Sequence, residues 1–411
     1  IDLNKFVSIP DLEAVKKAKI EDSKFKKDSM KFHFLKLSII VLFASVSCGR
    51  NSGENTNKEM NLNTIYTGTY TKKEGHVNGQ ADGIYTLYQN PENGSLKFGA
   101  TVAKIINPSF VKVSKDNKYL YAVSELGKND AASGFIYSYK INPDHSLTET
   151  GKLSTESYAP CHIAMDQTGE FVFVSNYVGG VVVVYKKKAD GSLENKQKIN
   201  LDDPESSNAH SVSISANNKH AYIADLGNDK IRIFDFDAEK GMLTLNQQPF
   251  LALKKGAGPR HFTFSKDDKY AYSINELNSS ISVFGINETG GVHLIQNISS
   301  LPDDFTDKNS AADIHLHPSG KFLYASNRGH NSIAAFKIDE NSGKLESLGY
   351  TSTQGKTPRN FAISPDGSYL YSANQDSNTI SIFKIDPQNG ELTPHLEPLE
   401  VKTPVCIEFM N

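Results

Sequence analysis

The sequence predicts an all-β chain folded as a seven-bladed β-propeller. Each blade is expected to hold four antiparallel strands, with blade one closed by strands from both chain ends. Three observations carry this. A unit of about fifty residues recurs from Pro108 to the C-terminus. Each unit reads as short alternating segments cut by Asp, Asn and Gly turns. The first and last recognisable strands are complementary fragments of one such unit.

Each unit opens on a Pro or Ala anchor: Pro108, Pro160, Ala209, Pro259, Ala311, Pro358 and Pro404, spaced 46 to 52 residues apart. A short alternating strand follows, then a turn such as Ser364 to Ser368. A Tyr-rich strand comes next, as at Tyr369 and Tyr371, ending in a small polar residue. A third strand such as Thr379 to Phe383 leads to a Gly-x-Leu turn and the last strand. Three residues after the anchors stand Val111, Ile163, Val212, Phe262, Ile314, Phe361 and Ile407. Five after them stand Val113, Met165, Ile214, Phe264, Leu316, Ile363 and Phe409. Uniformly apolar columns of this kind suit side chains clamped between neighbouring sheets. Asn63 to Tyr70 matches a second strand and Pro404 to Met410 a first strand. Together they would tie the ring shut and remove its open edges.

The bulk composition excludes other classes. With 38% hydrophobic residues, 22% charged residues and a net charge of -3, the chain is an ordinary globular one without the basic excess that nucleic acid needs. The absence of Trp excludes WD40 repeats. Cys48, Cys161 and Cys406 are too few and scattered for a disulfide framework or a zinc site. No Gly-rich phosphate loop or metal-ligand spacing occurs. No cofactor or metal is therefore expected, and the chain is expected to be a monomer.

The N-terminal region reads as a processing segment. Lys31 and Lys36 precede the apolar run Leu37 to Val46, which is too short to span a bilayer and ends at small residues before Cys48. The expected organisation is a leader without fold over 1–29, a signal peptide over 30–47, a polar tether over 48–61 and the propeller over 62–411. A Cys at the cut followed by a polar stretch resembles a bacterial lipoprotein signal, although Ser45 stands where such signals usually carry Leu. That resemblance implies lipidation at Cys48. The expected location is an exported, membrane-anchored lipoprotein, periplasmic or on the cell surface.

In an antiparallel blade the start of strand one and the end of strand two share one end. The residues just after the anchors (Cys161-His162, His210, Arg260-His261, Asp313, Arg359-Asn360) should therefore share a face with those after strand two (Glu125, Tyr177, Glu276, Arg328). Only five of the 44 basic residues are Arg. Arg260, Arg328 and Arg359 fall on this face in consecutive blades. Fixed planar donors suit a carboxylate, a phosphate or a developing oxyanion, while pairing with Glu276 and Asp313 would also account for them. His162, His210 and His261 gather on the same rim, where one could serve as general base. The small polar column Ser124, Asn176, Asp225, Asn275, Asn327 and Asn374 reads as structural. Strict alternation would turn Cys161 away from its neighbour His162, which argues against a thiol nucleophile.

These residues resemble the seven-bladed lactonase family typified by bacterial 6-phosphogluconolactonase, which includes fungal carboxymuconate cyclase. The matching stretches run through every blade and include Pro160-Cys161-His162, Gly258-Pro259-Arg260-His261, Ser326-Asn327-Arg328-Gly329 and Pro358-Arg359-Asn360. The resemblance implies metal-independent opening or closing of a lactone ring on the top face. It implies His162, His261, Arg260 and Asp313 as catalytic groups, and His210, Glu276, Arg328, Arg359 and Asn360 as substrate contacts. Asp313 stands where the family often has Glu. The expected activity is hydrolysis of a sugar lactone, with a small lactone or sugar acid as partner. A lactonising cyclase, or a non-catalytic surface propeller binding glycan or protein, is the alternative.

Overall fold

The computed structural model describes residues 62–75, 77–203 and 205–410. The leader, the signal segment, Cys48 and the tether lie outside the described residues. Seven antiparallel sheets follow one another around a ring. Blade one joins the C-terminal Pro404–Phe409 to Asn63–Thr69, Ile84–Gln89 and Leu96–Ala103. The ring is closed by both ends of the chain, as the complementary fragments predict. The first strands of blades two to seven are Val111–Val113, Tyr158–Met165, Ala209–Ile214, Pro259–Phe264, Ser310–Leu316 and Pro358–Ile363. Consecutive first strands touch one another, so they form the inner wall. In blade seven the outermost position is split between Leu392–Pro394 and Leu399–Glu400. One element falls outside the repeat. A two-stranded hairpin, Lys73–Glu74 with Val77–Asn78, leaves the end of the blade-one strand Asn63–Thr69.

The core lies between blades, not within them. Seven apolar clusters each join one neighbouring pair, including the pair that brings Tyr371 and Ile382 of blade seven against Leu87 and Ile407 of blade one. All of the first apolar column is buried. In the second column Phe264, Leu316, Ile363 and Phe409 are partly exposed yet pack against those clusters. The small polar column is buried and closes turns, as expected. Asn176 donates to the carbonyls of Thr155 and Val181, and Asn374 donates to Thr353.

Tyrosines of the second strands latch one blade to the next. The Tyr121 hydroxyl donates to the Gly191 carbonyl, Tyr222 to Gly290, Tyr324 to Gly390 and Tyr371 to Gly94, at 2.7 to 3.1 Å. Gly94 has φ +72°, and a Cβ there would stand 2.5 Å from the Tyr369 ring. The recurring turn glycine thus supplies both a left-handed backbone and the space for its neighbour's ring. Blade five breaks the series, because the buried Tyr272 hydroxyl has no hydrogen-bond partner among the described residues.

These two tyrosines predict opposite outcomes. Tyr324→Phe removes a made hydrogen bond and leaves the Gly390 carbonyl unpaired, costing about 1 kcal/mol in urea denaturation. Tyr272→Phe removes an unpaired buried hydroxyl and is expected to leave stability unchanged or raise it. Equal losses at both positions would show that the latch contributes nothing.

Candidate active site

The site is built by a defect repeated at the head of the inner strands. Pairing with strand two slips after Pro160, Ala209, Pro259, Ala311 and Pro358. One residue, or two in blade six, is left outside the ladder: Cys161, His210, Arg260, Ala312 with Asp313, and Arg359. A β-bulge re-aims the side chain it frees. Three of the freed residues, Cys161, His210 and Arg359, line one cavity of about 420 Å³ together with Arg328, Glu276, Glu125, Glu74 and Tyr177. A narrow extension beneath is lined by Arg260, His261, Asn360 and Phe110, and again by Arg359 and Cys161.

Two of the three arginines are held rigidly. Arg328 donates through Nε to the Ser310 carbonyl at 3.1 Å, and its Nη2 lies 2.9 Å from Glu276 Oε2. Arg260 donates through Nη1 to the Ala312 carbonyl at 2.6 Å. Its Nε is 3.0 Å from the same Glu276 oxygen, near enough to pair charges without an aligned hydrogen bond. Burial opposes ionisation of Glu276, but Arg328, Arg260 and Arg359 outweigh it and lower its pKa. Arg359 differs. Among the described residues it makes no hydrogen bond or ion pair, and its guanidinium carbon lies over the Tyr70 ring, 5.5 Å from the centroid. Burial works against its charge, yet Tyr70, Glu125 and Glu276 hold it firmly protonated.

Below the arginines, the buried Asp313 is the centre of a hydrogen-bond network that reaches the half-exposed His315. Its Oδ1 accepts from His261 Nδ1 at 2.6 Å and from the Ile314 amide at 3.0 Å. Its Oδ2 accepts from His315 Nε2 at 2.9 Å and from the Asn360 amide. Burial alone would raise the Asp313 pKa, but His315 and His261 hold it well below the usual carboxylate range. The shorter carboxylate therefore reaches its partners. His261 Nε2 faces Arg260 Nη1 at 3.1 Å and must accept from it. His261 is thereby fixed as the neutral Nδ1–H tautomer, bridging a carboxylate and a guanidinium.

This geometry revises several expected roles. Both ring nitrogens of His261 are engaged, so it cannot take a proton from water without first losing Arg260. His162 does not line the cavity; its ring packs between Phe110 at 4.6 Å and His261 at 5.3 Å, with Nδ1 buried and unpartnered. Asn360 spends its amide on Asp313 and its oxygen on the Ile407 amide at 2.7 Å, so it ties three blades together and has little left for a substrate. Among the described residues, His210 is the histidine that lines the main cavity, beside Tyr177. Cys161 lines it as well, because the bulge breaks the alternation that would have turned it away. Burial pushes its thiol well up, so it stays protonated. Glu125 follows a second strand and Tyr177 lies at the end of one, Phe171–Val178, so both carried the right positional signal, but their residue types did not single them out. Glu74 had no signal, because its hairpin lies outside the repeat.

A seven-bladed ring with a polar, arginine-bearing cavity at the heads of its inner strands defines the class. The family model "Lactonase, 7-bladed beta-propeller" matches residues 64–409. The 6-phosphogluconolactonase of Bacillus subtilis is 32% identical over 355 residues, covering 84% of this chain and 98% of the relative. That of Formosa agariphila is 34% identical over 312 residues, covering 73% and 86%. The solved periplasmic gluconolactonase of Pseudomonas aeruginosa aligns with a TM-score of 0.79 at 31% identity, over 85% of this chain and 99% of that one. The chain belongs to the seven-bladed β-propeller lactonase family.

The buried histidines predict acid sensitivity. Burial, then Arg260, lowers the His261 pKa from 6.5 to about 4. Burial also holds His162 and His210 well below 6.5. Each is neutral in the fold, so its contribution is complete above the unfolded value and is lost as pH falls through the folded one. For His261 that window is 6.5 down to about 4, worth roughly 3 kcal/mol across it. His315 shifts the other way, since Asp313 outweighs burial and raises it. Its contribution is present below 6.5 and is lost as pH rises through the raised folded value. Urea denaturation at pH 7 and pH 5 should show lower stability at pH 5, with a shallower dependence in His210→Asn. Identical curves at the two pH values would contradict neutral, buried imidazoles.

Proposed function

We infer that this protein hydrolyses a sugar lactone in the cavity lined by Arg328, Arg359, Glu276 and His210. The observation that carries the reading is the contrast among the arginines. Arg260 and Arg328 are locked on Glu276 and backbone carbonyls, while Arg359 enters the same cavity without an internal hydrogen bond or ion pair among the described residues. A guanidinium left in this state is a ready donor for an oxygen that gains charge.

The chemistry follows from the groups present. Water attacks the lactone carbonyl carbon, and the carbonyl oxygen becomes an oxyanion facing Arg359, with Arg328 beside it. His210 is neutral near pH 7 because burial, then Arg260, depresses its pKa. It can take the proton that water loses as the new C–O bond forms. Collapse of the tetrahedral intermediate breaks the ring C–O bond, and the same proton passes to the departing ring oxygen. The product is an open sugar acid, which releases its carboxyl proton to solvent and leaves a carboxylate facing the arginines. His261 and Asp313 act as positioning residues that hold Arg260 and the cavity floor. His162 packs that floor.

We further propose that the chain is exported and lipid-anchored at Cys48, with 1–29 as leader, 30–47 as signal and 48–61 as tether. The support is the sequence pattern and the similarity to a periplasmic gluconolactonase. Among the described residues no helix is long and apolar enough to cross a membrane. Metabolic labelling with a fatty-acid analogue should mark the wild type, and Cys48→Ser should abolish the label. Label retained in that variant would refute anchoring there.

The catalytic assignment has its own test. Arg359→Ala should lower kcat/KM on glucono-1,5-lactone by roughly 10² to 10³, with little change in melting because only the contact with the Tyr70 ring is lost, and no hydrogen bond or ion pair among the described residues. His210→Asn should lower kcat more than it changes KM. Activity within threefold of wild type in Arg359→Ala would refute the oxyanion role.

A further inference from the structure

The cavity has a second wall that the lactone chemistry does not use. Arg260, Arg328 and Glu276 come from blades five and six. Glu125 comes from blade two, and Glu74 from the hairpin of blade one, across the ring. Both carboxylates are built in. The Glu125 carboxylate accepts from the Tyr70 hydroxyl at 2.9 Å. The Asn107 amide donates to Glu74 Oε1 at 2.5 Å and to the Glu125 carbonyl at 3.3 Å. Asn107 is itself buried, with φ +45°, and its side-chain oxygen accepts from the amides of Thr71 and Lys72. One side chain therefore pins the hairpin to the cavity wall and sets Glu74 beside Glu125.

We propose that Glu74 and Glu125 form a hydroxyl-binding subsite, which makes the substrate an uncharged sugar lactone and excludes its phosphate ester. This rests on the lactonase reading above. A carboxylate only accepts hydrogen bonds, and each oxygen carries two lone pairs, so sugar hydroxyls can donate alongside the Tyr70 and Asn107 bonds. A polyhydroxy ring or tail supplies such donors. A phosphate group at the same place offers no such donors and carries like charge.

The charge balance points the same way. Among the described residues lining the cavity and its extension, Arg260, Arg328 and Arg359 face Glu74, Glu125 and Glu276. Two of those guanidiniums already share Glu276. Arg359 remains for the acyl oxygen, and no second uncommitted guanidinium is left for a phosphate dianion. With the carbonyl drawn to the arginine side, the hydroxyl-bearing end of the sugar extends toward blades one and two.

The test compares glucono-1,5-lactone with its 6-phosphate on the purified full-length protein and on Glu74→Gln and Glu125→Gln. Wild type is expected to favour the uncharged lactone by at least roughly tenfold in kcat/KM. In each variant KM for that lactone should rise several-fold with kcat little changed. The preference should also narrow as the phosphate ester gains. The Glu74 variant keeps the measurement valid should Glu125→Gln fold poorly, because Glu74 lies on a two-stranded hairpin outside the blade sheets. Equal or better turnover of the phosphate ester by wild type overturns the subsite and leaves the lactonase activity standing. So does a preference unchanged in both variants. Hydrolysis of neither lactone overturns the activity and the subsite together.

Discussion

The slip in register at the head of the inner strands is the feature on which the rest depends. A propeller blade needs apolar side chains on both faces of its inner strand, since the core lies between blades. An active site needs polar groups at the end of that same strand. A regular ladder would carry the alternation to its end and send every other polar group into a blade interface. Dropping one residue from the pairing releases it from either face. The five slips therefore release Cys161, His210 and Arg359 to the cavity, Arg260 to its extension and Asp313 to the network beneath, without disturbing the columns below.

Placing that many charges in a small volume is stable only because they are satisfied in layers. Asp313 is almost wholly buried at 2% exposure, where an unpaired carboxylate would be prohibitive. Donors on both of its oxygens make the anion the favoured state, and His261 passes its influence upward to Arg260. Glu276 does the same for two arginines one level higher. Rigid charges in the floor need no rearrangement during reaction, which is where electrostatic stabilisation of an oxyanion gains its strength. Arginine suits these positions better than the lysine used elsewhere, because a planar fork can meet a carboxylate and a carbonyl at once. Arg232, outside the site, bears this out by spanning Asp225 and Asp202.

The blades, their number and the closure at blade one were legible because period-two alternation and turn chemistry repeat in every unit. The arginines were legible because of their rarity. What alternation could not supply was its own exception. Cys161 seemed to turn away and His162 to face the site, and the bulge reverses that pair. Asn360 occupied the right column, but only the geometry reveals that both ends of its amide are committed between Asp313 and Ile407. Glu74 lies on a hairpin with no counterpart in other blades, so no column could flag it. Repeats reveal what is common to the blades, whereas this cavity is made from what differs among them.

Closure of the ring and assembly of the site are one event. The strand that completes blade one continues into Tyr70, whose amide donates to the Thr403 carbonyl and whose ring packs with Val77 and Val405. That ring is the platform under Arg359 of blade seven, and its hydroxyl holds Glu125 of blade two. The residue before it in the same chain, Thr69, bonds through its amide to the Pro108 carbonyl that opens blade two. Blades seven, one and two thus meet at Tyr70, and the uncommitted arginine and the acidic wall are both referenced to it. A ring left open between its chain ends would keep Arg260, Arg328 and Glu276 in place. It would lose the platform for Arg359 and the anchor of Glu125, which are the groups assigned to charge stabilisation and substrate choice. Joining the ends of the chain inside one sheet is therefore as much a device for building the cavity as for protecting the edges of the fold.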